Sequence, residues 1–522
     1  MRRFLIFTHR WMGIVGGLLF ITWFISGIVF MYWTMPTFSN ADRLSHLSPL
    51  DLSTARVEPM DAARTAGIQP TRLRVATYYD GRPVYRYQNN TTVYADTGEV
   101  VRGRNAEQAV ELVRKFVPEH AATVRHETTQ NDIDLWTAGT DSQMPLHKIA
   151  VGDPADTYYY VSGRTGEPVM KTNRASRFWG FWGPVVHQLY FTPLRRNAAL
   201  WDQLVIFLSI TGSLMCLAGL VAGVWMYSPR GRFRQKGESS QSPYSGWMKW
   251  HHYSGLIFGF VTFTWIFSGG LAFNPFGLFG NTSPSVQQRD AATGGPLNVD
   301  QVSLESLRNA LAVVMPSFKP KEADVLQFRG DGYLLAADGP PEPPVIGITF
   351  RNTDDQRANI RSDRRMVWLA HPERGTFTRF DDSVMIDIAR EAMPDVAIED
   401  ATWLDEYDNY YRSRYNTQPL PVLRVRYANS QGTWLYIDPH RGTVAWREER
   451  SSRVRRWLYN GLHKFDLPVL GNRPVWDISI ILLSIGGLVL SVTTILPAYR
   501  RLRGHAYRLL RLPVARLRSR RA

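Results

Sequence analysis

Four stretches of the chain, Trp11–Trp33, Leu204–Met226, Tyr253–Phe279 and Ile478–Leu496, are apolar and contain no charged residue. An α-helix needs roughly 20 such residues to cross the hydrocarbon of a bilayer. Lipid offers no partner for a backbone N–H or C=O, so these runs must fold as helices. That constraint predicts spans over 11–35, 201–227, 253–280 and 475–499. Two long polar regions, 36–200 and 281–474, lie between the first and second and between the third and fourth. Segments 1–10, 228–252 and 500–522 are short and basic.

The net charge of +15 is concentrated in those short segments. Arg2, Arg3 and Arg10 precede the first span. Arg230, Arg232, Arg234, Lys236 and Lys249, opposed only by Glu238, separate the second span from the third. Nine arginines occupy Arg500–Arg521. Positive charge beside short loops marks the cytoplasmic side of a membrane, so both termini and the 228–252 loop are expected there, with the two long regions outside. The arginine tail reads as contact with lipid headgroups rather than nucleic acid. Cys216 is the only cysteine, which excludes disulfides, iron–sulfur clusters and haem attached through Cys-x-x-Cys-His.

The chain also repeats itself. Aligning Thr8-His9-Arg10-Trp11-Met12-Gly13 with Trp250-His251-His252-Tyr253-Ser254-Gly255 brings Gly17 onto Gly259, Trp23 onto Trp265 and Ser26-Gly27 onto Ser268-Gly269 without a gap. Trp201-Asp202 matches Trp476-Asp477, and His187 matches His463. Span, exterior region, histidine and span then follow again, which predicts a tandem duplication. Within the exterior regions, 61–66, 105–117, 303–314 and 384–393 are predicted helices. The segments 93–101, 159–167, 367–377 and 434–444 are predicted hairpins, giving two helix-plus-sheet units per region. The expected fold class is therefore an α+β membrane protein, four transmembrane helices in a bundle carrying two exterior α+β regions.

Topology sorts the histidines into two pairs. His9 and His251 fall at the cytoplasmic ends of matched helices. His187 and His463 precede the matched helices that start outside. One neutral imidazole from each side, with glycines one turn on to admit a flat ligand, is what a six-coordinate b-type haem requires. Two haems, iron-ligated by His9 with His251 and by His187 with His463, are expected. His252 is an alternative ligand or a propionate partner. Asp202 and Asp477 either cap their helices or orient the distal imidazoles. Arg195 and Arg473 face either haem propionates or lipid phosphate. Trp179 and Trp182 belong to the interfacial belt or to a docking surface.

The strand–turn–strand units at Asp96-Thr97-Gly98-Glu99 and Asp438-Pro439-His440-Arg441-Gly442, the former followed by the helix containing Glu107-Gln108-Ala109-Val110, look like PepSY domains. Together with the four histidines they make the chain resemble the PepSY-associated transmembrane helix family. The resemblance implies PepSY-like exterior regions facing the periplasm from the bacterial inner membrane. It further implies reduction of a ferric siderophore in iron uptake, by electrons carried outward on haem, with no acid, base or nucleophile at work. No Gly-x-Gly-x-x-Gly opening a βαβ unit is present, so a separate electron donor is expected: a flavoprotein, a quinol or a soluble reductant. The alternative is a non-enzymatic membrane-anchored scaffold that binds periplasmic proteins. The sequence leaves homodimerisation open.

Overall fold

A computed structural model describes residues 2–235, 237–338, 363–412, 418–470 and 474–518, with backbone alone for 509–518. The chain divides into two units. The first holds Met1–Tyr32, Phe181–Leu278 and Arg455–Ala522; the second holds Trp33–Gly180 and Phe279–Val454.

The first unit is built on four helices long and apolar enough to cross a membrane: Arg2–Phe30, Ala198–Met226, Trp247–Gly270 and Val475–Arg518. They begin earlier or run longer than the apolar stretches alone suggest. Residues 2–10 are the opening turns of the first span's helix, and residues 500–518 continue the fourth. Residues 247–252 belong to the third helix rather than to the loop before it, whose centre folds as a small hairpin. The first and third helices each pack mainly on the second and fourth, so first and third lie on one diagonal of a ring. Phe20, Phe24, Met215, Trp265, Trp476 and Ile480 fill its centre. Val15, Leu18, Phe207, Leu214, Ile257, Phe260 and Leu482 stay exposed, as lipid-facing side chains would be.

The second unit contains fourteen of the strands among the described residues. In chain order these are β1 (Leu73–Thr77), β2 (Pro83–Arg86), β3 (Thr92–Tyr94), β4 (Arg125–Gln130), β5 (Leu146–Ala150), β6 (Tyr158–Ser162) and β7 (Pro168–Thr172). The first unit's loop hairpin supplies β8 (Phe233–Gln235) and β9 (Glu238–Ser240). The second unit resumes with β10 (Glu322–Phe328), β11 (Asp331–Ala337), β12 (Arg364–Trp368), β13 (Ile398–Leu404), β14 (Val422–Tyr427), β15 (Trp434–Asp438) and β16 (Thr443–Glu448).

All four predicted helices form, as Pro59–Thr65, Ala106–Phe116, Leu304–Val314 and Asp382–Ala392. Their starts are set by side chains that satisfy the first free N–H groups. Asn105 and Gln108 form a reciprocal capping box, Ser303 caps the third, and Asp381 caps the fourth. The hairpins predicted at 159–167 and 434–444 form as β6–β7 and β15–β16. Those at 93–101 and 367–377 close through single bridges, Val93 with Val100 and Met366 with Phe377, Gly98 turning the first of these at φ 76°.

The partition into two separate exterior regions is corrected. β1–β3 and β10–β12 join into one six-stranded sheet of order β12-β11-β10-β1-β2-β3, so the regions share their central sheet. β1 pairs antiparallel with β10, Arg74 opposite Asp324. Arg74 donates to Asp324 Oδ1 (2.7 Å) and Glu322 Oε1 (2.9 Å), and Arg43 also reaches Glu322 (2.6 Å). Helices Pro59–Thr65 and Leu304–Val314 cover this sheet with a common core. Each region keeps one four-stranded sheet of its own, β4–β7 and β13–β16, under helices Ala106–Phe116 and Asp382–Ala392.

Candidate functional site

His9 lies in the second turn of the first helix and His251 in the second turn of the third. These helices are diagonal, and their imidazoles face each other across the bundle with ring centres 6.0 Å apart and planes 28° from parallel. His187 and His463 come from the segments before the second and fourth helices. Their ring centres are 6.2 Å apart.

One rule holds all four rings. His9 Nδ1 donates to the carbonyl of Met215 (2.9 Å) and His251 Nδ1 to that of Leu490 (3.2 Å). His187 Nδ1 lies 3.3 Å from the Trp23 carbonyl, and His463 Nδ1 lies 3.0 Å from that of Trp265. Ser26 and Ser268 hydroxyls stand beside the latter two, at 3.3 and 3.5 Å. A proton fixed on Nδ1 leaves the Nε2 lone pair for a metal, which is how ligating histidines are oriented.

An imidazole can reach a carbonyl inside a helix only where the next turn leaves room. Gly219 is four residues past Met215, and a Cβ there would stand 2.4 Å from His9 Cε1. Gly27 and Gly269 hold the same place after Trp23 and Trp265, with Cβ clearances of 3.3 and 3.0 Å to the distal rings. The fourth position is Thr494, and there the neighbouring Thr493 hydroxyl approaches His251 Nδ1 at 3.4 Å. Sequence reasoning matched Gly27 to Gly269 without assigning them this role and overlooked Gly219. The signal was the shared Trp-x-x-Ser-Gly.

The distal histidines are delivered by π-helical turns, Phe181–Val185 and Arg456–Gly461. Two residues beyond each histidine, Leu189 and Phe465 take left-handed backbone angles (φ 56° and 52°), which bulky side chains rarely adopt. The indole N–H of Trp201 donates to the Gln188 carbonyl and that of Trp476 to the Lys464 carbonyl, each at 2.8 Å. These bonds pin the residue that follows each histidine.

His252 differs from its neighbour. Its Nε2 donates to the Gly223 carbonyl (2.8 Å) and its Nδ1 faces the Ser242 hydroxyl (2.8 Å), so both nitrogens are engaged. The ring anchors the 228–246 loop instead of facing His9. Asp202 is the fifth residue of its helix, which Asn197 caps through Leu200 N–H (3.0 Å), so the capping reading of Asp202 is corrected. Asp477 sits within the first turn of its helix and accepts from Tyr32 Oη (3.0 Å). The Arg195 guanidinium stacks on the Tyr190 and Trp201 rings, 4.6 and 4.5 Å from their centres. Arg473 lies outside the described residues. Trp179 stacks on Trp33, and Trp182 is exposed.

A cavity of about 600 Å³ opens between the four helices at the first pair. His9, His251, Gly13, Gly17, Gly255 and Gly259 line it, with Phe20, Leu220, Leu256 and Leu490 as apolar wall. Arg10, Arg500 and Arg501 also line it.

Residues 7–324 match the family described as the PepSY-associated TM region. The chain belongs to this family. Among curated proteins, none matches it. As a PepSY-associated TM protein it is a membrane protein, and its histidine pairs can be tested against the cofactor they suggest. Two imidazoles ligating one metal from opposite faces stand about 6.3 Å apart at their centres, given metal–nitrogen bonds of roughly 2.0–2.1 Å. Both pairs meet that spacing, all four rings present the same nitrogen, and the first pair faces a cavity of cofactor size. The residues fit haem.

Proposed function

We propose that this PepSY-associated TM protein is a two-haem oxidoreductase of the bacterial inner membrane. It would pass electrons from the cytoplasm to a periplasmic ferric siderophore. In this reading both termini and the 228–246 loop are cytoplasmic, the second unit is periplasmic, and the chain arose by tandem duplication. The observation that carries it is the pairing of four imidazoles, two by two, with every Nδ1 on a helix carbonyl.

His9 with His251 would hold the inner haem and His187 with His463 the outer. The haems, when bound, would supply one-electron transfer. The chain's own part is to hold the imidazoles neutral and oriented, to keep water out with Phe24, Trp265 and Ile480, and to separate the two sites. Fourteen residues divide His9 from Trp23, whose carbonyl holds His187, which is about 21 Å along a helix. Sites that far apart reach toward opposite faces of a hydrocarbon layer of ~30 Å. At the outer face, one electron converts the Fe(III) chelate to Fe(II), a poorer match for hard oxygen ligands, and the iron loosens.

The test is a reduced-minus-oxidised spectrum of the purified protein, with haem counted per chain. Two low-spin b haems are expected, with one lost in His9→Ala and the other in His187→Ala. A colourless wild-type protein would end this reading and leave the membrane-anchored scaffold.

A further inference from the structure

We propose that Arg10, Arg500 and Arg501 grip the carboxylate end of the ligand held by His9 and His251, so that the inner haem enters with its propionates toward the first and fourth helices. This rests on the haem reading above and adds an orientation to it. The cavity is lined mostly by apolar residues and glycines, and its lining contains no aspartate or glutamate. Its three guanidiniums come from the first and fourth helices only.

The polar lining contributed by the third helix and the loop before it includes His252 and Tyr244. The cationic groups of the lining are therefore all on the first and fourth helices, while the His252 imidazole is already held by Ser242 and Gly223.

Distance supports the assignment. Arg500 and Arg501 lie ten and eleven residues beyond Leu490, whose carbonyl holds His251, about 15 Å along the helix. Helical side chains lean toward the N-terminus, so both guanidiniums turn back to the cavity. A planar guanidinium takes a carboxylate through two parallel hydrogen bonds, which a lysine cannot reproduce. Arg503, on the same helix, does not line the cavity, and its guanidinium lies over Tyr507 instead.

The experiment compares haem with haem dimethyl ester, whose propionates are neutral, in the full-length protein. Release to apomyoglobin is followed in the kinetic phase that His9→Ala abolishes. Wild type should release the ester about tenfold faster than haem, the worth of a hydrogen bond to a charged group. Arg10→Gln/Arg500→Gln/Arg501→Gln should release both at the faster rate, and its bis-histidine band positions should stay unchanged.

Loss of positive charge beside the iron disfavours the reduced state, so the inner midpoint potential should fall. A tenfold change in the reduction equilibrium is about 59 mV for one electron. Arg503→Gln should change neither quantity. Equal release of haem and ester by wild type overturns the proposal without any substitution. So does a triple variant that keeps both discrimination and potential. A wild-type protein without haem fails the earlier reading instead.

Discussion

At the scale of single residues, the site depends on atoms that are missing as much as on atoms present. Gly219→Ala puts a methyl group 2.4 Å from His9 Cε1, closer than real contacts come. The imidazole must leave the Met215 carbonyl, and about one haem per chain should be lost while the outer site stays intact. A variant retaining two haems with an unshifted spectrum would refute the carbonyl-and-glycine rule. Gly269→Ala, at 3.0 Å, asks a smaller displacement of His463 and should weaken its site less.

The adjacent histidines make a second comparison. His251→Ala should lose the inner haem, whereas His252→Ala should keep both and free the loop that Ser242 ties down, seen as faster proteolysis of 228–246. The sequence made the paired histidines visible because repeat and topology agree on them. It could not separate His251 from His252, since that depends on which carbonyls and hydroxyls the fold brings to each ring.

Secondary-structure elements were legible wherever local chemistry decides them. Asn105 and Ser303 announced two helix starts and Gly98 a turn, whereas the helix expected from Val384 begins at Asp382 behind an Asp381 cap. The π-turns were not legible: Gly183 and Pro184 in Phe181–Val185 and Gly461 at the end of Arg456–Gly461 mark an irregular helix, but breakers do not say which irregularity forms. Neither was the β1–β10 seam, since strand pairing between Arg74 and Asp324 is chosen by tertiary packing. That seam carries its own prediction. Arg74, Glu322 and Asp324 are 22, 15 and 29 % exposed as side chains, so Arg74→Ala leaves Asp324 without its main partner and Glu322 with Arg43. Breaking fully buried pairs costs about 3–5 kcal/mol, and partial solvent access lowers this to about 2–3 kcal/mol. Hydrogen exchange should report the loss in β1 and β10, with haem content unaffected. Unchanged protection there would mean the pairs contribute nothing.

For the molecule as a whole, sidedness rests on where the arginines lie, and chemical labelling can test it. In a Cys216→Ser background, Glu119→Cys should react with an impermeant maleimide on intact spheroplasts. Arg503→Cys should react only after lysis. The reverse pattern would turn the proposed direction of electron flow around. Sequence charge also hid something at this scale: Arg10, Arg500 and Arg501 counted as sidedness signals, and only the fold shows that they line a cavity.

The shared sheet has a consequence for how such a gene could have begun. Cut near residue 240, the polypeptide would bring one histidine of each pair and a three-stranded ribbon with β1 as a bare margin. Two identical molecules meeting about a two-fold axis would supply the missing histidine of both pairs and cover each other's margin in a single encounter. Expressed as separate fragments today, the two portions should be colourless apart and should regain pigment when mixed.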